Sequence, residues 1–164
     1  MANVRTETRW GLDRETLAHS LRTAAAAAIS MYVAQLFRLP EAYWAAVTTL
    51  IVMQSDLGAA LTISWQRFVG TALGAAAGGL LAERFGPSIP IFGLGVLVLG
   101  ILCEALHLHR NAYRYAGVTL AVVMLVDRTT AAWKVAVHRF IEVSIGITIG
   151  LILTAVWPER ISDE

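Results

Sequence analysis

The sequence has few charged residues and a single cysteine among its 164 positions. Charged side chains account for 15% of the chain and hydrophobic ones for 57%, whereas about a quarter of a soluble domain is charged. The lone Cys103 excludes an internal disulfide framework and a cysteine-rich metal site. A net charge of +1 gives no basis for a nucleic-acid partner or an acidic tail.

Sequence motifs of common enzyme classes are also missing. The chain has no Gly-x-Ser-x-Gly elbow, no Walker loop and no zinc-protease motif, which excludes ATP hydrolysis within this chain. Glu104, His107 and His109 have the spacing of one di-iron ligand motif, but such sites need the motif on two helices with additional carboxylates. We therefore predict a protein that is not an enzyme and that holds no metal or cofactor.

Long apolar stretches occupy most of the chain, and its mean hydropathy is +0.62. Several stretches approach or exceed the roughly 18 to 20 apolar residues that cross a bilayer as one helix. Backbone groups in lipid must form their hydrogen bonds internally, which favours helices. The first stretch of the chain is polar and charged, unlike the start of a signal peptide. The composition thus predicts an all-α integral membrane protein without a cleaved leader.

Turns and polar breaks divide the apolar region into six predicted transmembrane spans. They cover residues 13–40, 43–54, 58–84, 91–106, 113–126 and 131–157. The second and fifth spans are short for straight helices that must cross about 30 Å of hydrocarbon at about 1.5 Å per residue. We therefore predict that the second and third helices, and the fifth and sixth, are interrupted pairs. Around this single membrane domain, 13–157, we expect a polar N-terminus, 1–12, and a short tail, 158–164, both cytoplasmic.

The two halves of the membrane domain resemble each other, because the segment 36–78 aligns with 108–150 without a gap. The aligned pairs include Arg38 with Arg110, Tyr43 with Tyr115, Arg67 with Arg139, Gly74 with Gly146, and Gly78 with Gly150. Each half, about 14–84 and 88–157, has a short span, a polar break and a long helix that carries an arginine. If each half has three spans, the second half enters the membrane from the opposite side, so the repeat is inverted.

Basic residues beside the spans favour an orientation with both termini in the cytoplasm. With Arg67 and Arg139 set aside, this arrangement places seven flanking basic residues inside and four outside. We therefore expect a multi-pass protein of the bacterial inner membrane. A unit of six spans leaves little room to enclose a path, so we also expect a homodimer or a higher homo-oligomer, formed along faces of small residues.

Arg67 and Arg139 are the first candidates for a functional site, because a charged side chain between long apolar segments is costly in lipid. In transporters with inverted repeats, paired interrupted helices form the substrate site between the halves. Two guanidinium groups that converge there would bind a carboxylate. The helix starts after Ser55 and Asp127 would add positive potential. A structural role is the alternative, in which the arginines cap carbonyl groups or pair with carboxylates such as Glu142.

Short motifs in this region carry a resemblance to a known family. They are Tyr43-Trp44-Ala45 with Thr48, Val52 and Gln54; Gly58-Ala59 with Leu61; Arg67 with Gly70-Thr71 and Gly74; and the closing Trp157-Pro158 with Arg160. In these motifs the sequence resembles the fusaric acid resistance/aromatic acid exporter (FUSC) family, which is related to the plant aluminium-activated malate transporters. The resemblance implies efflux or channel conduction of small organic anions, typically aromatic carboxylic acids.

Two departures from the family pattern limit what the resemblance implies. Ala60 stands where the family often has threonine, which weakens a hydroxyl role at that position. We also expect the chain to end after its sixth span, without the large cytoplasmic domain that is common in the family. A rival hypothesis is therefore a non-transporting membrane scaffold that assembles with a partner carrying that domain.

The remaining site residues are predicted from their places near the polar breaks. We expect the substrate to contact Arg67, Arg139, Tyr43, Trp44, Gln54, Ser55 and Thr130. Proton coupling would fall to Asp56 or Glu142, and path-lining roles to Asp127, Lys134 and His138. The alternatives are structural: aromatic belts at the membrane interface, helix capping by the residues of the polar breaks, and basic side chains near the headgroups. The expected partners are a small organic anion, the lipid bilayer and further copies of the chain.

Overall fold

The computed structural model describes residues 14–54, 56–126 and 130–157, and all regular structure within them is helical. Six α-helices follow one another along these residues: α1 Arg14–Leu36, α2 Tyr43–Val52, α3 Leu57–Phe85, α4 Ile89–Ala105, α5 Arg110–Leu125 and α6 Ala132–Val156. Each predicted span overlaps one of these helices over most of its length, so the all-α prediction is confirmed. Ser55 and Asp127 lie outside the described residues.

The helices differ widely in length and polarity. Among the described residues, α6 alone is long and apolar enough to cross a membrane by length and composition. The apolar helices α2 and α4 are shorter, with 10 and 17 residues, and at 1.5 Å per residue α2 is only about 15 Å long. Although α3 has 29 residues, Gln66 and Arg67 interrupt its apolar sequence. The number of bilayer crossings and the inverted orientation of the halves therefore stay predictions.

The helices α1 and α4 end in the same hydrogen-bonded motif. After each helix, two successive N–H groups donate back to carbonyls three and five residues earlier. This Schellman pattern needs a residue in the left-handed region just after the helix. Arg38 and His107 supply it, with φ of 54° and 52°. As a result, α1 ends at Leu36, before the boundary at Pro40 that the sequence predicts.

Two other boundaries differ from the sequence prediction. The helix α4 begins at Ile89, so Pro90 lies in its first turn and not in the preceding loop. Proline fits there because the first N–H groups of a helix have no partner inside it. The helix α5 begins at Arg110, earlier than the predicted start at 113. Part of the polar segment between the predicted spans 91–106 and 113–126 is therefore helical, since a few polar residues at a helix start do not prevent the helix from forming.

The helices form two groups of three. The helices α1, α2 and α6 pack on one another and make the first bundle, while α3, α4 and α5 make the second bundle. The two bundles meet mainly along α3 and α6, where the ring centroids of Phe68 and Phe140 lie 5.0 Å apart. Each short helix, α2 or α5, thus packs on the long helix from the other half of the sequence.

Glycines on the long helices let the short helices approach closely. A Cβ on Gly74 would collide with the carbonyl oxygen of Ala116 on α5, and a Cβ on Gly146 with the carbonyl oxygen of Ala45 on α2. Small-residue faces of this kind allow close contact between helix backbones. These two glycine faces are therefore used inside the bundles, and the oligomer expected along faces of small residues stays a prediction.

Gly146→Ala tests this packing, with Gly117→Ala as the matched control. The methyl group added at 146 has no free space, so we expect the free energy of unfolding to fall by about 1–3 kcal/mol. A Cβ on Gly117 meets no atom within 4 Å, and the higher helix propensity of alanine should keep that variant at wild-type stability or above. SDS titration in mixed micelles measures both variants. Equal stability of the two would contradict the close contact at Gly146.

Candidate functional site

Arg67 lies on α3 and is 5% exposed. Its Nε and Nη2 atoms donate hydrogen bonds to the hydroxyl oxygen of Thr48 on α2, at 3.2 and 3.0 Å. Its guanidinium carbon lies 4.9 Å from the centroid of the Tyr115 ring on α5, which is within the range of a cation–π contact. Arg67 therefore stacks inside the second bundle and forms hydrogen bonds across to the first.

Arg139 lies on α6 and is 2% exposed. Its guanidinium carbon is 3.2 Å from the centroid of the Trp44 ring on α2, so this stack lies inside the first bundle. Its Nε and Nη1 atoms are buried and have no hydrogen-bond acceptor among the residues that the structure describes. Buried polar groups almost always have a partner, and an unsatisfied donor on a charged group is costly. An acceptor from outside the described residues could therefore bind these two N–H groups.

Hydrogen bonds fix the ring beside Arg139. The indole N–H of Trp44 donates to the carboxylate of Glu41 at 3.2 Å, and the backbone N–H of Glu41 donates to the carboxylate of Glu142 at 3.1 Å. Glu142 is buried and follows Arg139 by three residues on α6, a spacing that places both on one helix face. The turn before α2 is thus tied to α6, and negative charge lies close to Arg139.

Both arginines line one cavity of about 140 Å³ between the two bundles. Each bundle contributes five lining residues: Trp44, Val47, Ile51, Arg139 and Val143 from the first, and Arg67, Thr71, Tyr115, Val118 and Thr119 from the second. Most of the wall is apolar or aromatic, and the polar groups are two guanidiniums, two threonines and a tyrosine. An apolar lining with a few convergent polar groups is typical of a small-molecule site.

The rings that stack on the arginines differ from the pair that the ungapped repeat predicts. The repeat aligns Tyr43 with Tyr115, whereas the ring against Arg139 belongs to the next residue, Trp44. Successive residues of a helix are rotated by about 100°, so Tyr43 and Trp44 cannot both face α6. Tyr43 is 48% exposed, and its ring centroid is 5.4 Å from that of Trp44.

Gln54 and Asp56 lie at the break between α2 and α3 and are not among the residues that line the cavity. The Gln54 side chain donates to the Ile51 carbonyl at 3.4 Å. Asp56 accepts a hydrogen bond from the N–H of Ala59 at 2.8 Å, which is the helix-capping alternative that its sequence position suggests. A substrate contact at Gln54 and a coupling role for Asp56 stay predictions.

The predicted residues near the start of α6 also lie outside the cavity. Thr130 and Lys134 are exposed, and His138 is half-buried; none of the three is among the cavity-lining residues. Ser55 and Asp127 fall outside the described residues. Of the predicted substrate contacts, the structure brings together Arg67, Arg139 and Trp44, and it adds Tyr115 and Thr119, which the sequence reasoning missed.

Arg22 is a third buried arginine that the sequence does not single out from the basic residues flanking the first span. Its Nη1 donates to the Trp157 carbonyl at 2.6 Å and its Nη2 to the Gln54 carbonyl at 3.1 Å. Both carbonyls follow the last turn of a helix in the first bundle, so Arg22 ties the ends of α2 and α6 together. The repeat gives no sign of this role, because Leu94 occupies the same register in the second half.

A helical bundle with an apolar helix of spanning length and buried arginines around a small cavity has the features of a membrane transport protein. Residues 27–153 match the family described as fusaric acid resistance protein-like. The chain therefore belongs to this family, and the resemblance predicted from the sequence is confirmed. Comparison with solved structures gives no match.

Curated bacterial relatives agree with this assignment. The chain is 29% identical over 148 residues to the inner membrane protein YeeA of Escherichia coli strain K12, covering 88% of this chain and 42% of that protein. It is 32% identical over 157 residues to the uncharacterized transporter YdhK of the same strain, covering 88% of this chain and 23% of the relative. The YdhK protein of Salmonella typhimurium is 25% identical over 149 residues. The chain thus spans less than half the length of these relatives, and the name of the first agrees with a bacterial inner membrane.

Arg22→Met tests the tie between α2 and α6, with Arg114→Met as the control because Arg114 is exposed on α5. Methionine retains much of the apolar stem but leaves the Gln54 and Trp157 carbonyls without their donors. A hydrogen bond from a charged group contributes about 1.5–3 kcal/mol, so we expect loss of the two bonds to lower the free energy of unfolding by about 2 kcal/mol or more. SDS titration measures both variants, and a loss no larger for Arg22→Met than for the control would contradict the assignment.

Proposed function

We propose that this chain is a transporter unit that exports small organic anions, in particular aromatic carboxylic acids, and that it binds their carboxylate through Arg67 and Arg139. One observation carries the proposal. Arg139 lines the cavity, and two of its buried nitrogens have no acceptor among the described residues. A carboxylate is an acceptor whose geometry guanidinium groups match well.

Electrostatics favour an anion over a neutral guest. Both guanidinium groups line the cavity, and none of its lining residues carries a carboxylate. A buried charge that is only partly compensated is expensive. A negatively charged guest would therefore supply acceptors that the protein does not.

Size and lining favour a single aromatic ring. A cavity of ~150 Å³ is enough to hold benzene, and the cavity beside the two arginines measures about 140 Å³. Trp44 and Tyr115 contribute ring surfaces to its wall, and aromatic pairs gain energy beyond the area they bury. The size therefore favours a guest with one aromatic ring, and we take 4-hydroxybenzoate as the test substrate; a two-ring acid would require the bundles to separate.

The proposed path lies between the bundles of an inverted repeat, with both termini in the cytoplasm. The packing of the short helices supports the repeat, because each one packs on the long helix of the other half: α2 on α6 and α5 on α3. The cavity supports it too, since each bundle supplies one arginine and one aromatic ring. We also propose a homo-oligomer: the chain spans 42% of YeeA, so that relative has the length for a second unit of this size.

If protons drive export, Glu142 is the carrier that the geometry favours. Its side chain is buried and lies three residues from Arg139. Asp56, the other predicted carrier, is exposed and caps α3. A carboxylate beside the arginine that binds the anion lets proton binding and anion binding influence each other, as in the proton relays of other transporters.

A non-transporting scaffold is the rival function. The greater length of the relatives is consistent with an additional domain or partner. A scaffold, however, needs no cavity between its bundles, and it would pair the Arg139 donors with protein acceptors. The cavity and the unsatisfied donors therefore support transport better.

Arg139→Ala and Arg67→Ala test carboxylate recognition, with Arg114→Ala, an exposed residue on α5, as the control. The readout is efflux of labelled 4-hydroxybenzoate from liposomes near neutral pH, compared with protein-free liposomes. Loss of a charged hydrogen bond costs about 1.5–3 kcal/mol, so we expect flux to fall about tenfold or more in either cavity variant. The control should keep wild-type flux. Equal flux in all four proteins would reject the site, and wild-type flux no higher than the protein-free background would favour the scaffold.

Glu142→Gln tests proton coupling, with Asp56→Asn as the control. Glutamine keeps an oxygen that can accept from the Glu41 N–H, so exchange of labelled for unlabelled 4-hydroxybenzoate should continue. Uphill export driven by a pH gradient should be lost, because the amide cannot carry a proton. Asparagine at 56 can still cap α3, and that variant should retain gradient-driven export. The reverse pattern would assign coupling to Asp56.

A further inference from the structure

The two arginines of the cavity occupy equivalent positions in the repeat, but their hydrogen bonds differ. Arg67 donates to Thr48 through Nε and Nη2. The counterpart of Thr48 is Thr119, because Thr48 follows Trp44 by one helical turn just as Thr119 follows Tyr115. The equivalent bond from Arg139 Nε to Thr119 is not formed, since that nitrogen has no acceptor among the described residues.

The backbone places the two threonines alike. A Cβ on Gly146 would lie 2.6 Å from the Cβ of Thr48, and a Cβ on Gly74 would lie 2.9 Å from the Cβ of Thr119. Each threonine therefore packs against a glycine on the long helix of its own bundle. The difference between the two positions lies in the use of the hydroxyl group and not in the packing.

The contacts of the arginines fall into two kinds. The ring contacts stay inside a bundle, since Arg67 stacks on Tyr115 in the second and Arg139 on Trp44 in the first. The bond from Arg67 to Thr48 instead joins the second bundle to the first. A bond from Arg139 to Thr119 would also join the bundles. Rocking of one bundle against the other can therefore exchange the threonine bonds while each arginine keeps its ring.

We propose that Thr48 and Thr119 are alternating positioning residues of the transport cycle. In the state described here, Thr48 holds Arg67, and Arg139 offers its Nε and Nη1 donors to the carboxylate. In the second state, Thr119 holds Arg139, and Arg67 takes over the anion. Alternating access in inverted-repeat transporters is largely such rocking around a fixed site, and an equal exchange of bonds keeps the two states close in free energy. This inference rests on the proposed function and names its switching element.

Thr119→Val and Thr48→Val test the inference, with Thr119→Ser and Thr48→Ser as controls that keep the hydroxyl. Valine keeps the branched shape that packs against the glycines but loses the oxygen acceptor. Two quantities are measured for each purified protein: the Kd of 4-hydroxybenzoate in detergent and its flux from liposomes. Wild-type binding is measured first, because failure to bind would reject the proposed function before any threonine variant is compared.

For Thr119→Val, we expect a Kd within about threefold of wild type, because the described state still binds the anion. We expect the flux to be about tenfold lower, because the second state loses its Thr119 bond and is therefore less populated. Thr119→Ser should keep the flux near wild type. In the double valine variant each state lacks one bond, so the balance between the states returns. Its flux should exceed that of either single valine variant.

Three results would overturn the inference and leave the proposed function intact. Wild-type flux in Thr119→Val would mean that the second state does not use this hydroxyl. A parallel loss of affinity and flux would make Thr119 a direct substrate contact. Losses that multiply in the double variant would mean that the two threonines act independently.

Discussion

The burial of two permanently charged guanidinium groups on aromatic rings is the constraint on which the rest of this structure depends. Arg67 stacks on Tyr115 and Arg139 on Trp44. In each pair the ring belongs to a short helix and the arginine to a long helix from the other half of the sequence. The short helices must therefore cross over to the opposite long helix, and glycines on α3 and α6 make the close approach possible. The division into two bundles follows from covering these two charges.

The two charges are compensated by different groups. Arg67 has a threonine hydroxyl as its acceptor, whereas Arg139 has the carboxylate of Glu142 one turn away and two nitrogens without an acceptor among the described residues. Taking a charge out of water is repaid only when its hydrogen bonds are satisfied. Under the proposed function, a bound anion would supply the missing part of this compensation. This is the physical reason to interpret the cavity as a site for anions, and it makes the second arginine, not the first, the one that is ready to bind in this state.

The sequence predicts the helices from their apolar stretches. It predicts both arginines because they fall at the same position when the two halves are aligned without a gap. It does not predict which ring stacks on Arg139. The sequence offset that matches α2 with α5 is one residue smaller than the offset that matches α3 with α6. It misses the helix ends at Arg38 and His107, because the left-handed conformation usually belongs to glycine. The sequence does not predict the role of Arg22, because its two acceptors follow different helices whose ends come together only in the folded structure.

If the cavity binds anions as proposed, one departure from the repeat bears on how the guest is released. The counterpart of Glu142 in the first half is Gly70, whose missing side chain admits the backbone of Ala112, so Arg67 has no carboxylate at the same place. A carboxylate guest at Arg139 therefore competes with Glu142 for the same positive charge, while a guest at Arg67 would not. A site that conducts must bind strongly enough to capture and weakly enough to release. Two unopposed guanidiniums would favour capture, whereas the carboxylate of Glu142 would shift the balance toward release.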